Sequence, residues 1–162
     1  MKLRRGTLAF VLLAGALFAP NAVAQKPVKE PVVSEPLEFG AGEVCAFPTR
    51  LETVASNMSS KTFPDGRMLV TGRSTERVTN LASGESIDLR TGGSALFTPL
   101  PNGSLRIVLR GRALIYLLPQ DVGGPALLLA RGRVAEVLDT TTNIITSFRL
   151  RGKRLDVCAQ VS

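Results

Sequence analysis

The sequence has no histidine and no tryptophan, a single tyrosine (Tyr116) and only two cysteines. Without an imidazole, neither a Ser-His-Asp nor a Cys-His relay can be built, and a zinc site would have to use thiolates and carboxylates alone. The two cysteines show no Cys-x-x-Cys spacing of the kind that activates a thiolate. Acids such as Asp65, Asp88 and Asp156 stand in turn-like or alternating positions, with no spacing that pairs them for acid–base work. Long apolar runs are also missing. The one candidate, Thr7 to Phe18, would reach about 18 Å as a helix against a hydrocarbon core of about 30 Å. These absences leave no reaction to name, no cofactor motif and no transmembrane span.

What is present reads first as a leader. Lys2, Arg4 and Arg5 precede the apolar stretch, and Ala22-Val23-Ala24 supplies a small-x-small cleavage site, so residues 1–24 are expected to be a signal peptide. Gln25 follows the site in place of the cysteine that a lipid anchor needs. The mature protein is therefore expected outside the cytoplasm, either secreted or held in the cell envelope. Pro27, Pro31 and Pro36 lie among charged residues ahead of Gly40 and Gly42, so residues 25–42 read as an extended, flexible arm. One domain then occupies residues 43–162, since 44% hydrophobic and 20% charged residues suit a folded globule.

In an exported chain, Cys45 and Cys158 have one intramolecular pairing open to them, and a disulfide at that separation would bring the two ends of the domain together. Between them the chain is rich in Val, Ile, Leu and Thr and shows no sustained i, i+3, i+4, i+7 pattern, which predicts an all-β domain. Turn residues recur about every twenty positions, at Ser83-Gly84, Pro101-Asn102-Gly103, Asp121 to Gly124 and Asp139 to Asn143. Gly72, Gly92, Gly111, Gly132 and Gly152 fall midway between them.

Either these glycines are hairpin turns between short strands, or they are kinks in long ones. Leu105, Ile107, Leu109, Ala113, Ile115 and Leu117 keep one parity straight through Gly111, which favours kinks. From Asn143 to Cys158 the parity slips across Gly152, as at a bulge. Aligned in a meander, the glycines would form a crease across the sheet. The predicted fold is a small antiparallel up-and-down barrel or barrel-like orthogonal sandwich, closed by the disulfide.

Basic residues flank the same glycines: Arg73, Arg110, Arg112, Arg131, Arg133, Arg151, Lys153 and Arg154. If the glycines face inward, these side chains form one outward band, able to grip phosphate or carboxylate by bidentate hydrogen bonds. Arginine also serves as an ordinary outward strand residue that blocks edge pairing. Charge is unevenly placed: residues 104–162 carry nine basic and four acidic side chains, against eight and nine in residues 25–103.

Cys45-Ala46-Phe47-Pro48, Lys61-Thr62-Phe63 with Asp65-Gly66-Arg67, Val78-Thr79-Asn80-Leu81 with Ser83-Gly84, and Leu127-Leu128-Leu129 with Arg131-Gly132-Arg133-Val134 resemble a group of small secreted proteins of unknown function from high-GC Gram-positive bacteria. The resemblance implies export and bacterial origin, and brings no activity with it. The expectation is a non-catalytic binding module that takes a small hydrophobic ligand in the barrel or an anionic envelope polymer on the arginine band. Scarce aromatic residues argue against nucleic acid. Two alternatives are a carboxylate- or metal-dependent barrel isomerase or hydrolase, and a structural envelope protein.

Overall fold

The computed structural model describes residues 29–32 and 34–162; the expected leader, its cleavage site, Gln25 and Pro27 lie outside the described residues. Nine strands follow in chain order: β1 (Lys29–Pro31), β2 (Leu37–Phe39), β3 (Thr49–Ser56), β4 (Ser59–Thr62), β5 (Met68–Asn80), β6 (Ser86–Pro99), β7 (Leu105–Leu117), β8 (Ala126–Asp139) and β9 (Ile144–Asp156). A short 3-10 turn at Cys158–Gln160 ends the domain. The strands form one antiparallel sheet in the order β1-β4-β5-β6-β7-β8-β9, with β3 also paired to β5 and β2 to β3. The sheet curls into a half-barrel. Strands β5 to β9 are 13 or 14 residues long and run up and down through the predicted turns, so the glycines between the turns lie inside strands.

Those glycines line up. The register pairs Gly72 with Gly93, Gly93 with Gly111, Gly111 with Gly132 and Gly132 with Gly152. The sequence pointed to Gly92, but its neighbour Gly93 holds the place in the row, and Gly92 faces Arg73 and Arg112 instead. Each of the five has a φ between 113° and 141°, a region closed to L side chains. A Cβ on Gly93 would run into the carbonyl oxygen of Arg110, and one on Gly152 into that of Arg131. The empty Cβ direction therefore lies in the plane of the sheet, aimed at the next strand. This rotation bends the strand without breaking the ladder.

At β5 the crease leaves glycine and continues as a gap. Strands β3 and β4 run in the same direction beside β5, and pairing stops at Ser56–Ser74 and resumes at Ser59–Thr71. Asn57 spans the gap: its N–H donates to the Arg73 carbonyl at 2.9 Å, and its Oδ1 accepts from the Arg73 N–H at 2.7 Å. One long strand is thus broken at the bend that its neighbours negotiate with glycine.

The bend splits the sheet on one side. Strands β6 and β7 pair only from Gly92–Arg112 to Pro99–Leu105. Beyond the crease, β6 stays with β5 while β7 stays with β8, and the two arms pack on each other. Val78 and Leu89 from the first arm meet Leu127 and Leu129 from the second, in a core completed by Val44, Cys45, Val157 and Val161. A second core of Ile115, Leu117, Ala130 and Val134 fills the fold of the β7–β8 pair. Burying each Val, Leu or Ile side chain of these cores contributes about 1.5–3 kcal/mol, which favours the bent arrangement.

The ends are joined by side chains and a covalent bond, with no strand pairing between them. Cys45, in the loop before β3, is disulfide-bonded to Cys158 after β9, with the Cα atoms 5.6 Å apart. Beside this bond, the buried Asn80 donates through Nδ2 to the Val161 carbonyl at 2.9 Å and accepts the Ala82 N–H at its Oδ1. Two expectations need correction. Within the segment read as a flexible arm, Lys29–Pro31 pairs with β4 and Leu37–Phe39 with β3. These are edge positions, where proline is tolerated. The bulge in β9 lies at Thr146, between the pairs Leu138–Ile145 and Val137–Ser147, while Gly152 keeps full register.

Replacing Gly132 by alanine should lower the unfolding free energy by about 3 kcal/mol or more in urea denaturation, because the new methyl meets backbone. Gly103→Ala, in a turn with open space around it, should cost only about 1 kcal/mol. Reducing the disulfide, whose partners are 113 residues apart, should cost about 4 kcal/mol in the same assay.

Candidate functional site

Side chains directly opposite each other on neighbouring strands share a face and stand about 5 Å apart. On one flank of the glycine row the register therefore aligns Arg73, Gly92, Arg112, Arg131 and Lys153. On the other flank it aligns Thr71, Ser94, Arg110, Arg133 and Arg151. Seven of the eight basic residues singled out in the sequence thus fall into two rows on either side of the crease. Arg154 stands apart, opposite Ala130. It nevertheless lines a shallow depression of about 210 Å³ together with Arg112, Arg131 and Lys153, floored by Leu129 and Leu155.

The rows lack acids. Among the described residues the ion pairs are made by Arg50, Arg67 and Arg77, the last gripping Asp88 through Nε at 2.8 Å and Nη2 at 3.0 Å. That grip holds the Asp88 carboxyl below its usual range. The four acids of residues 104–162 are engaged elsewhere. Asp139 accepts the Thr141 N–H and Asp156 the Cys158 N–H, each capping its turn. Asp121 and Glu136 are buried. Arg73, Arg110, Arg131, Arg133, Arg151 and Lys153 are exposed, whereas Arg112 is half-buried and its Nε has no hydrogen-bond partner. Two further exposed arginines have the same strand parity, Arg106 opposite Val137 and Arg149 opposite Ala135. The sequence reading missed them because neither adjoins a glycine; the strand parity that places them was already visible.

Where β6 and β7 part, a cleft of about 370 Å³ opens beside Arg110 and Arg112. Leu37, Leu51 and Met58 give it apolar walls, and the Ser74–Thr91 hydroxyl pair, 2.6 Å apart, is polar. Glu76 also lines the cleft, accepting a hydrogen bond from Thr53 Oγ1 at 2.7 Å.

A second cavity, of about 480 Å³, lies across β7 and is lined largely by apolar side chains, with Asp121 and Glu136 among them. Asp121 accepts the Leu118 N–H at 2.7 Å and the Ile145 N–H at 2.8 Å, so both carboxylate oxygens are held by backbone. Glu136 is only 9% exposed, and its Oε2 has no partner. Burial, reinforced by the nearby Asp121 charge, pushes its pKa up to about 7. The sequence reading passed over this pair. Asp121 reads as a turn residue, and the signal at Glu136 was its even position among Leu128, Ala130, Val134 and Leu138, the inward parity of β8.

No family model, no curated protein and no solved structure matches the chain.

Because the Glu136 proton is held more tightly in the folded state than in the unfolded chain, this residue costs nothing below about pH 4.5 and becomes destabilising as pH rises towards about 7. Glu136→Gln should therefore match the parent protein at pH 4 and exceed it by about 3 kcal/mol at pH 8, read from urea midpoints across that range.

Proposed function

We propose that the protein is a binding module for an anionic polymer outside the cytoplasm, and that the two basic rows are its contact surface. The reading rests on one observation: cations stand directly opposite cations across β7, β8 and β9 with no acid interleaved. Like charges so placed repel and weaken the sheet, and an anionic ligand laid along the crease relieves this repulsion. The rows lie two residues apart along each strand, roughly 6–7 Å, so a chain of phosphates or carboxylates between them can be gripped from both sides. Arginine suits this task because its planar fork forms paired hydrogen bonds to either group. The disulfide agrees with an oxidising compartment, and among the described residues no helix is long and apolar enough to cross a membrane.

Polyphosphate titrated against the purified protein should bind with an affinity that falls steeply as salt is raised from 50 to 500 mM, since these charges are exposed and screenable. The double substitution Arg133→Gln with Arg151→Gln should weaken binding about tenfold and flatten the salt dependence, while Arg77→Gln, which removes an arginine already paired with Asp88, should change it less than twofold. Equal loss from both variants would remove the rows as the contact surface.

A further inference from the structure

The cavity across β7 has a chemistry opposite to that of the outer rows. Its walls are largely apolar, Phe97, Ile107, Ile115, Leu138 and Ile145 among them. No basic side chain lines it. Two carboxyl groups do, and they differ in what holds them. Asp121 is fixed through both oxygens by the Leu118 and Ile145 N–H groups. Glu136 Oε2 is enclosed and meets nothing. A buried polar atom without a partner costs about 1–3 kcal/mol, so its retention in a wall of hydrocarbon calls for a partner from outside the chain.

We propose that this cavity is a second binding site, for a small amphiphile with an ammonium head, the head lying against Glu136 and Asp121 and the tail among Phe97, Ile107 and Ile145. Several features select this class. The site is acidic and holds no compensating cation, so a positive head is the charge it attracts. An ammonium group brings the donors that Glu136 Oε2 lacks, and Asp121, its two N–H contacts already made, has lone pairs to spare. Two of its lining residues, Tyr116 and Asn143, are exposed, so the cavity reaches solvent. This site shares no residue with the exposed basic rows and is independent of the polymer reading.

Binding a cation must expel the Glu136 proton, which gives the site a distinctive pH dependence. The titratable groups lining the cavity are Glu136 from β8, Asp121 from the β7–β8 loop and Tyr116 from β7; the segments from β6 and β9 contribute Phe97 and Ile145. An alkylammonium, like a lysine side chain, keeps its own charge below about pH 10. Octylamine, octanol and octanoate share one tail and differ in head charge, so calorimetric titration of the full chain with each separates the possibilities. Octylamine should bind most tightly, and its affinity should rise about thirtyfold from pH 5.5 to 8.5, the change in ionised fraction of a carboxyl titrating near pH 7. Octanol and octanoate should show no such rise. Glu136→Gln should abolish the pH dependence and bring octylamine at pH 8.5 down to the parent's affinity at pH 5.5, with the fold checked by thermal melting. The wild-type pH profile needs no variant and stands if the substitution disturbs folding. The proposal is overturned if octanol or octanoate binds as tightly as octylamine, if octylamine affinity is flat with pH, or if octylamine does not bind. Saturating polyphosphate should leave octylamine binding unchanged, so loss of either site is read separately.

Discussion

Everything in this domain depends on one steric fact: along a line crossing five strands there is no room for a Cβ atom. Gly72, Gly93, Gly111, Gly132 and Gly152 sit beside one another with positive φ, and the direction a side chain would take points into the backbone of the adjacent strand. A straight strand of 13 residues would run about 43 Å, too long for one compact core in a domain of this size. Bending all five strands at one level folds the sheet over itself and lets two arms of the same sheet share a core. Where glycine gives out, at the β3–β4 gap, the chain breaks and Asn57 carries the hydrogen bonds across.

The crease also determines where charge is placed. A residue next to each glycine is turned to the opposite face, and the register then stacks those neighbours strand after strand. Arg112, Arg131 and Lys153 form one row and Arg110, Arg133 and Arg151 the other. Two physical effects act on these residues together. Their stems shield the bend and their charges keep the β9 edge from pairing with another chain, while their mutual repulsion works against the sheet they cover. The proposed anion, laid between the rows at the bend, would turn that repulsion into attraction.

Inside the fold the electrostatics reverse. The acids that do not neutralise the rows are used as turn caps or buried, and the Asp121–Glu136 pair creates an acidic spot within hydrocarbon. Both oxygens of Asp121 are held by backbone N–H groups. Glu136 has no such support and is pushed towards the neutral form. One small domain thus carries a basic exterior and an acidic cavity, charges of opposite sign on two separate surfaces.

Local chemistry in the sequence was enough to establish the strand class, the turns, the kinks and seven of the eight band residues as neighbours, because each follows from periodicity or from the conformational range of glycine and proline, and a count of two cysteines was enough for the disulfide partners. Gly93 in place of Gly92, and the bulge at Thr146 and not at Gly152, were beyond it: a one-residue register is decided by the partner strand, which local pattern does not contain. The pairing of Lys29–Pro31 and Leu37–Phe39 was hidden for the same reason, since segments of three residues look alike whether or not an edge is available to them. The carboxyl cavity was decided by tertiary structure alone. Asp121 and Glu136 are fifteen positions apart in unlike contexts, and only the bend of the β7–β8 pair brings them to one low-dielectric cavity, where the Asp121 charge adds to burial in raising the proton affinity of Glu136.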